Sequence, residues 1–286
     1  MTIKLATVQE SLAEHYEVEC LLGKGGMSYV YKGRARVNDR DVAIKVFRPE
    51  FAITLLRDRF HQEVEILQDL AHPNILPLIE SGESEFMVYY VMPFAHDGSL
   101  FDRLQRERSL SLAHTIPIVR AVATALDYAH LHDVIHRDVK PENVVFDGDT
   151  TMLCDFGVAR AMFRSSGDRI STSGLIVGTP HYMSPEQALG LKEIDYRSDI
   201  YSLGVVAYEM LAGEPPFTGR NQQTVRRKQI AEHPPSLCVV RPDLPRTVED
   251  VVMRALAKKP EERWESAGEM AEALEKGAGF GVQSAG

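Results

Sequence analysis

A glycine-rich segment near the N-terminus has the residue types of a phosphate-binding turn. It lies between two apolar runs and consists of Gly23, Lys24, Gly25, Gly26, Met27 and Ser28. A backbone without side chains lets phosphate oxygens approach closely and presents N–H groups to them. Glycine-rich hairpin turns also occur without any ligand, so this segment alone leaves both interpretations open.

A lysine and a glutamate further along the chain are predicted to form a buried ion pair. In a strand over residues 42–47, side-chain alternation puts Lys45 on the same face as Ala43 and Phe47. Glu63 lies on the apolar stripe of a predicted helix over residues 57–71. Either charge buried alone would cost several kcal/mol, so we expect the two to be partners.

Polar residues in the middle of the chain form an ordered set of motifs. The set comprises His136-Arg137-Asp138, Lys140, Asn143 and Asp155-Phe156-Gly157. It resembles the catalytic and metal-binding loops of the eukaryotic-like protein kinase superfamily, and the motif order resembles that family over residues 16–270. Ser28 replaces the third glycine of the family's glycine-rich motif, and Tyr201 stands where many eukaryotic members have Trp. Both departures are typical of the bacterial serine/threonine protein kinase catalytic domain.

The resemblance implies a role in phosphoryl transfer from ATP for each matching residue. Lys45 would hold the α- and β-phosphates and be oriented by Glu63, while Asn143 and Asp155 would bind Mg²⁺, with Mn²⁺ as the alternative ion. Asp138 would orient the attacking hydroxyl and accept its proton. Lys140 would steady the transferred phosphoryl group, a role typical of the serine/threonine branch.

The resemblance also implies where adenine binds. The run that ends at Met92 matches the strand before the family's hinge, with Met92 as gatekeeper. The Pro93 carbonyl and the Ala95 N–H would then read the base. By the same resemblance, Val30, Ala43 and Val145 would make apolar contacts with the two faces of the adenine.

Residues 158–179 are polar and match the family's activation segment. Ser171, Thr172 and Ser173 are the phosphoacceptor candidates favoured by position, and autophosphorylation there is predicted to activate the enzyme. A solvated loop that carries no phosphate is the alternative. Thr179 is expected by resemblance to contact Lys140 and Asp138 instead of accepting phosphate.

The family's fold is α+β and two-lobed. The N-terminal lobe has an antiparallel five-stranded sheet with one main helix, and the C-terminal lobe is mostly helical. The expected divisions are an extension over residues 1–15, an N-lobe over 16–94, a C-lobe over 95–276, and a flexible tail or the start of a juxtamembrane linker over 277–286. By resemblance, Asp199 bonds the backbone at His136-Arg137, and Glu186 pairs with Arg263.

Hydrophobic periodicity predicts the elements that position these residues. A strand meander covers residues 18–47, and apolar runs over 75–79 and 86–92 complete the sheet. Predicted helices cover 99–106, 112–132, 199–212 and 248–257, with Asp199 as N-cap and Gly213 as the stop of the third. Pro117 predicts a late start or a kink in the second.

Net charge, cysteine spacing and the length of apolar runs argue against several classes of protein. The 286 residues carry 32 Lys and Arg against 41 Asp and Glu, a net charge of −9, which argues against nucleic acid as a partner. Three distant cysteines lack zinc-site spacing and suit a reducing compartment. No run is long and apolar enough to span a membrane, so a cytoplasmic location is expected for the domain, with a membrane anchor elsewhere in a longer protein left open.

Several alternatives share parts of this pattern. A pseudokinase scaffold that only binds ATP usually lacks one of Lys45, Glu63, Asp138, Asn143 and Asp155, and all five are present. A small-molecule phosphotransferase would lack the activation segment through Ser184-Pro185-Glu186, and Lys140 disfavours a tyrosine kinase. The expected partners are proteins with Ser or Thr acceptors, and the resemblance suggests a homodimer through the N-lobe.

Overall fold

The computed structural model describes residues 5–26, 28–48, 67–84, 87–156 and 180–279. These residues divide into two compact units. The first unit contains the described residues up to Ala71 together with Ile75–His96, and the second contains His72–Asn74, Asp97–Phe156 and the described residues from Pro180 onward.

The first unit is built on an antiparallel five-stranded sheet, as predicted. Helix α1 (Leu5–Leu12) precedes strands β1 (Tyr16–Lys24), β2 (Ser28–Ala35), β3 (Arg40–Phe47), β4 (Glu80–Ser84) and β5 (Met87–Pro93). The strand order is β1-β2-β3-β5-β4, and every neighbouring pair is antiparallel. Of the main helix predicted over residues 57–71, only the end lies within the described residues; residues 67 and 68 are helical and residue 69 is in a turn.

The N-terminal extension contains a helix that the sequence analysis did not predict. In α1, Val8 and Leu12 are almost completely buried and join the apolar core of the sheet. Gln9 also donates to the carbonyl of Val18 in β1 at 2.9 Å. The extension is therefore part of the packed core of the first unit.

The prediction of a strand over residues 75–79 was wrong. Strand β4 begins at Glu80, where pairing with Val91 starts, and only Ile75 of the predicted run makes an isolated bridge. Pro77 lies in the predicted run, and a proline has no N–H to donate to a strand ladder. Ile75 is the buried residue of this run, and Ile79 is 48% exposed, so the apolar pattern identified neither a strand nor a buried segment.

The second unit is mostly helical. Its helices are α2 (Leu100–Glu107), α3 (Leu112–Leu131), α4 (Pro185–Leu189), α5 (Arg197–Ala212), α6 (Gln222–Ala231), α7 (Leu237–Val240), α8 (Arg246–Ala255) and α9 (Ala267–Gly277). A two-stranded hairpin of β6 (Val144–Asp147) and β7 (Thr150–Leu153) follows a short 3-10 helix, Pro141–Asn143. Helix α5 is buried along nearly its whole length, as its continuous apolar sequence predicts.

Two helix starts bear on the predictions. Helix α3 begins at Leu112, where the predicted range begins, and continues through Pro117, so of the two effects predicted for Pro117 the late start does not occur. Helix α5 begins two residues before Asp199, with Tyr196 at the N-cap, so the prediction of Asp199 as N-cap was wrong. The Asp199 carboxylate binds other groups, described below, while Gly213 ends the helix in a left-handed conformation as predicted.

Candidate active site

Asp199 organises the loop that carries the predicted catalytic residues. Its carboxylate accepts the backbone N–H groups of His136 at 2.8 Å and Arg137 at 2.7 Å, which confirms the contact implied by the resemblance. His130 lies 2.8 Å from the same carboxylate. Burial alone would raise the pKa of Asp199, but the hydrogen bond and charge of His130 together with the Arg137 N–H and the other neighbouring groups lower it, so the carboxylate is ionised.

His136 supports the loop as a neutral side chain. Its Nδ1 accepts the N–H of Asp138 at 3.2 Å, so the ring proton is on Nε2, which donates to the Cys154 carbonyl at 2.9 Å. Complete burial lowers the pKa of His136, which keeps the ring uncharged. Its ring also packs against Phe156, 4.5 Å away between centroids. One imidazole thus joins the Asp138 loop to the Asp155-Phe156 segment.

Asp138, Lys140 and Asn143 are in direct contact. Lys140 Nζ donates to Asp138 Oδ2 at 2.6 Å, and Asn143 Nδ2 donates to the Asp138 carbonyl at 2.7 Å and to Oδ2 at 3.2 Å. Burial opposes the charged form of Lys140, but the Asp138 carboxylate, together with the negative charges of Glu142 and Asp155, raises the pKa of Lys140. The arrangement places a carboxylate proton acceptor beside a fixed positive charge.

Asn143 and Asp155 have suitable chemistry for Mg²⁺. Because the amide nitrogen of Asn143 is committed to Asp138, its carbonyl oxygen remains available as a ligand, and Mg²⁺ prefers carboxylate and amide oxygens. Asp155 has a φ of +68°, a left-handed conformation that is rare outside glycine and typical of functional sites. In the described part of the chain, no group of three or more His, Cys, Asp or Glu side chains is gathered in a way that could hold a metal ion.

Two carboxylates that no sequence motif indicates, Glu142 of this loop and Glu209 of α5, influence each other electrostatically. Tyr182 donates to Glu209 at 2.7 Å. Burial, reinforced by the negative charge of Glu142, raises the pKa of Glu209 to about 7 although the Tyr182 hydroxyl opposes the shift. Burial also raises the pKa of Glu142. No local motif identifies Glu209, since it approaches Glu142 only through the fold.

The glycine-rich turn of the first unit connects β1 to β2. Gly25 N–H donates to the Ser28 carbonyl at 2.8 Å, and Gly23 and Lys24 at the end of β1 pair with Val30 and Tyr29 of β2. Arg48, at the end of β3, donates to the Gly25 carbonyl at 2.8 Å. No local sequence pattern indicates this role of Arg48, because Arg48 and Gly25 are 23 residues apart in the chain.

The other predicted nucleotide-binding residues of the first unit lie on β2, β3 and β5. Val30 pairs with Lys45 across β2 and β3, and Ala43 pairs with Met92 across β3 and β5. Lys45 Nζ lies 5.6 Å from the Tyr90 ring centroid. Pro93 is the last residue of β5, and Ala95 lies two residues after it. Val145 belongs to β6, in the second unit.

Several predicted site residues lie outside the described residues. They are Met27, Glu63, Gly157, Thr179 and the phosphoacceptor candidates Ser171, Thr172 and Ser173. The Lys45–Glu63 ion pair therefore stays a prediction. Gly26, next to Met27, has open space where a Cβ would project.

The predicted pair of Glu186 and Arg263 is present in the second unit. Arg263 Nη1 and Nη2 contact the two Glu186 carboxylate oxygens at 2.7 and 2.8 Å, with both side chains buried. Among the other histidines, His72 acts as a local cap by accepting the Asn74 N–H. His130 differs from His72, since it is only 10% exposed and contacts the Asp199 carboxylate.

Comparison with known proteins identifies relatives of this arrangement. The family described as "Protein kinase domain" matches residues 16–276. Serine/threonine-protein kinase PknB of Mycobacterium tuberculosis is 37% identical over 274 residues, which is 92% of this chain and 43% of that protein. A probable serine/threonine-protein kinase of Clostridium perfringens is 37% identical over 93% of this chain and 38% of its own length. A probable PknB of Lactococcus lactis is 36% identical over 90% of this chain and 41% of its own length.

The chain thus spans about two fifths of the length of these relatives. Within the described residues, no helix has the length and apolar character needed to cross a membrane. Because the family match covers nearly the whole chain, and because the catalytic loop and the five-stranded sheet have the implied form, this chain belongs to the protein kinase domain family and is similar to its bacterial serine/threonine members.

Proposed function

We propose that this chain is an ATP-dependent protein kinase domain that transfers the γ-phosphoryl group of MgATP to Ser and Thr hydroxyls of proteins. The observation that carries the proposal is the contact of Asp138 with both Lys140 and Asn143. This contact places a proton acceptor, a phosphoryl-stabilising cation and a metal-ligand amide in one loop, as phosphoryl transfer requires.

Each residue has a distinct task in this reaction. Asp138 orients the acceptor hydroxyl and takes its proton as the hydroxyl oxygen bonds to the γ-phosphorus and ADP leaves. Lys140 stabilises the negative charge on the transferred group, and Lys45 with the glycine-rich turn holds the other phosphates. Asn143 and Asp155 would hold the metal ion, which neutralises phosphate charge when bound. Mg²⁺ is the proposed ion, and comparison of activity in Mg²⁺ and Mn²⁺ tests that choice.

Intact-mass spectrometry before and after incubation with MgATP tests the activity. We expect mass gains of about 80 Da for each phosphate, and we expect none for Asp138→Asn, because the amide cannot accept the proton. The Asp147→Asn variant, altered in the turn of the β6–β7 hairpin, serves as the matched control and should gain mass like the wild type. A wild type that binds ATP without any gain, and that also fails to phosphorylate myelin basic protein, would contradict the proposal and support the pseudokinase alternative.

We also propose that autophosphorylation in trans at Ser171, Thr172 or Ser173 activates the domain. A phosphate adds about 1.5 to 2 negative charges, which can pair with arginines near the catalytic loop such as Arg137. The triple alanine variant is expected to lose at least tenfold in activity toward myelin basic protein at equal concentration. Full retention of that activity would contradict this part of the proposal.

Four further expectations belong to the same proposal. They are protein substrates with Ser or Thr acceptors, a homodimer through the first unit, a cytoplasmic position of the domain and the expected domain boundaries. They are supported by the resemblance to bacterial serine/threonine kinases. Sedimentation velocity tests the homodimer directly.

A further inference from the structure

A chain of buried hydrogen bonds in the second unit ends on the backbone of Pro180 and His181. Lys258 Nζ donates to the Tyr201 hydroxyl at 3.2 Å, and that hydroxyl donates to Gln229 Oε1 at 2.6 Å. Gln229 Nε2 then donates to the carbonyls of Pro180 at 3.2 Å and His181 at 2.5 Å. Two successive bonds and a final branch into two therefore connect α5, α6 and the segment after α8 to the 3-10 turn Pro180–Tyr182.

The chemistry of Lys258 fixes the direction of this chain. A lysine ammonium only donates, so the Tyr201 oxygen accepts from it and the Tyr201 proton is left for Gln229 Oε1. An amide whose oxygen is engaged in this way has to direct both its N–H groups toward the two backbone carbonyls. Lys258 also donates to the Gln229 backbone carbonyl at 2.8 Å, which holds the two residues together.

Burial makes the chain sensitive to the loss of any member. Tyr201 and Gln229 are both inaccessible to solvent, and Lys258 Nζ lies 4.3 Å from the Phe217 ring centroid. A buried donor or acceptor that loses its partner keeps its desolvation cost, so a partly satisfied network is unfavourable. The carbonyls of Pro180 and His181 are therefore held in one arrangement.

The positioned turn lies beside the catalytic loop. Tyr182 at its end bonds Glu209, and the negative charge of Glu142, two residues after Lys140, contributes to raising the pKa of Tyr182. Gln187 of α4 donates to the Arg137 carbonyl at 2.8 Å. Gln187 also accepts the Ser184 N–H at 3.0 Å, so the backbone just after the turn is joined to the residue before Asp138, to which a protein substrate has to bring its hydroxyl.

We propose that Gln229, oriented by Tyr201 and Lys258, is a positioning residue for the acceptor protein. It acts by setting the backbone of Pro180 and His181, and it touches neither the reacting groups nor ATP. This inference rests on the proposed kinase function and adds a determinant of acceptor binding to it.

Steady-state kinetics with myelin basic protein as acceptor tests the inference. The Gln229→Glu variant keeps the side-chain size but turns a donor into an acceptor opposite two carbonyls. We expect its KM for the acceptor protein to rise about tenfold, with the KM for ATP changed less than twofold. Gln223→Glu is the matched control, because it makes the same change at an exposed position of α6. Tyr201→Phe, which only removes the orienting hydroxyl, should raise the acceptor KM about threefold.

The possible results separate the two proposals. An inactive wild type would overturn the proposed kinase function. An active wild type with Gln229→Glu and Tyr201→Phe unchanged in acceptor KM, or with equal changes in both KM values, would overturn the positioning role alone. If Gln229→Glu is not folded in a thermal melt, the Tyr201→Phe variant decides the question by the same ratio of KM values.

Discussion

Asp199 shows how a residue outside the catalytic loop controls that loop. It lies in the first turn of α5 and binds two successive backbone N–H groups at positions 136 and 137. Those bonds hold Arg137 in a left-handed conformation with a φ of +67°, which is unfavourable for a residue with a side chain. The position of Asp138 therefore depends on a carboxylate about sixty residues later in the chain.

Arg48 is predicted to control ATP binding through the glycine-rich turn. Its Nη2 donates to the Gly25 carbonyl, and its guanidinium stacks on Tyr29, 5.0 Å from the ring centroid. Arg48→Met keeps much of the apolar stem but removes the donor, so the turn should lose part of its preorganisation for phosphates. We expect the KM for ATP to rise about fivefold, with the KM for the acceptor protein nearly unchanged.

Arg36→Met is the control for this prediction. Arg36 also donates to a backbone carbonyl, that of Ala13 at 2.8 Å, but it lies at the other end of β2 from the turn. Steady-state kinetics should show wild-type values for this variant. Equal effects of the two substitutions on the KM for ATP would show that the turn does not depend on Arg48.

At the scale of elements, the Glu186–Arg263 pair ties helix α4 to the segment after α8. Arg263 also donates to the carbonyls of Ala257 at 2.9 Å and Arg197 at 2.9 Å, so its guanidinium joins three parts of the second unit. Arg263→Met leaves the Glu186 carboxylate buried without its partner. We expect the free energy of unfolding to fall by about 3–5 kcal/mol in urea denaturation.

Two further variants distinguish the ion pair from simple packing. Arg263→Lys should remain destabilised, because one ammonium cannot replace two parallel N–H donors. The double variant Glu186→Met, Arg263→Met should recover part of the loss, because no unpaired charge remains. A Lys variant as stable as the wild type would argue against a requirement for the bidentate geometry.

For the whole molecule, the raised pKa of Glu209 predicts how stability depends on pH. This pKa is about 7 in the folded protein, against an ordinary value of 4.5. Between these values the folded state keeps a proton that the unfolded state releases, so stability from this group is full below pH 4.5 and falls as the pH rises to 7. The loss is at most about 3.5 kcal/mol, since one pKa unit corresponds to about 1.4 kcal/mol.

Glu209→Gln isolates this contribution. A glutamine keeps an acceptor for the Tyr182 hydroxyl and has no proton to lose. The stability of the variant relative to the wild type should therefore increase between pH 5 and pH 8 in urea denaturation, and it should be nearly constant below pH 4.5. A difference that does not change with pH would show that Glu209 titrates normally in the folded protein.

The sequence by itself determined the family, the two-part α+β architecture and the identities of the residues closest to the proposed chemistry. These features depend on spacing within one loop or on periodicity within one element. Asp138, Lys140 and Asn143, for example, meet because they lie within five residues of one another. Short apolar runs bounded by turns likewise predicted β1 to β3 and β5, because a strand that packs in the core has to carry apolar side chains.

Only the tertiary structure decided which distant side chains support these residues. Arg48 at the end of β3 donates to the Gly25 carbonyl in the β1–β2 turn. His130 contacts the same Asp199 carboxylate that binds the catalytic loop. Gln229 of α6 donates to the Pro180 carbonyl in the 3-10 turn. Strand β4 begins at Glu80, after the predicted run 75–79, because Pro77 in that run has no N–H to donate to a strand ladder. A single sequence shows which polar residues exist, but the partner of a buried polar group depends on packing between elements far apart in the chain, which local patterns do not encode.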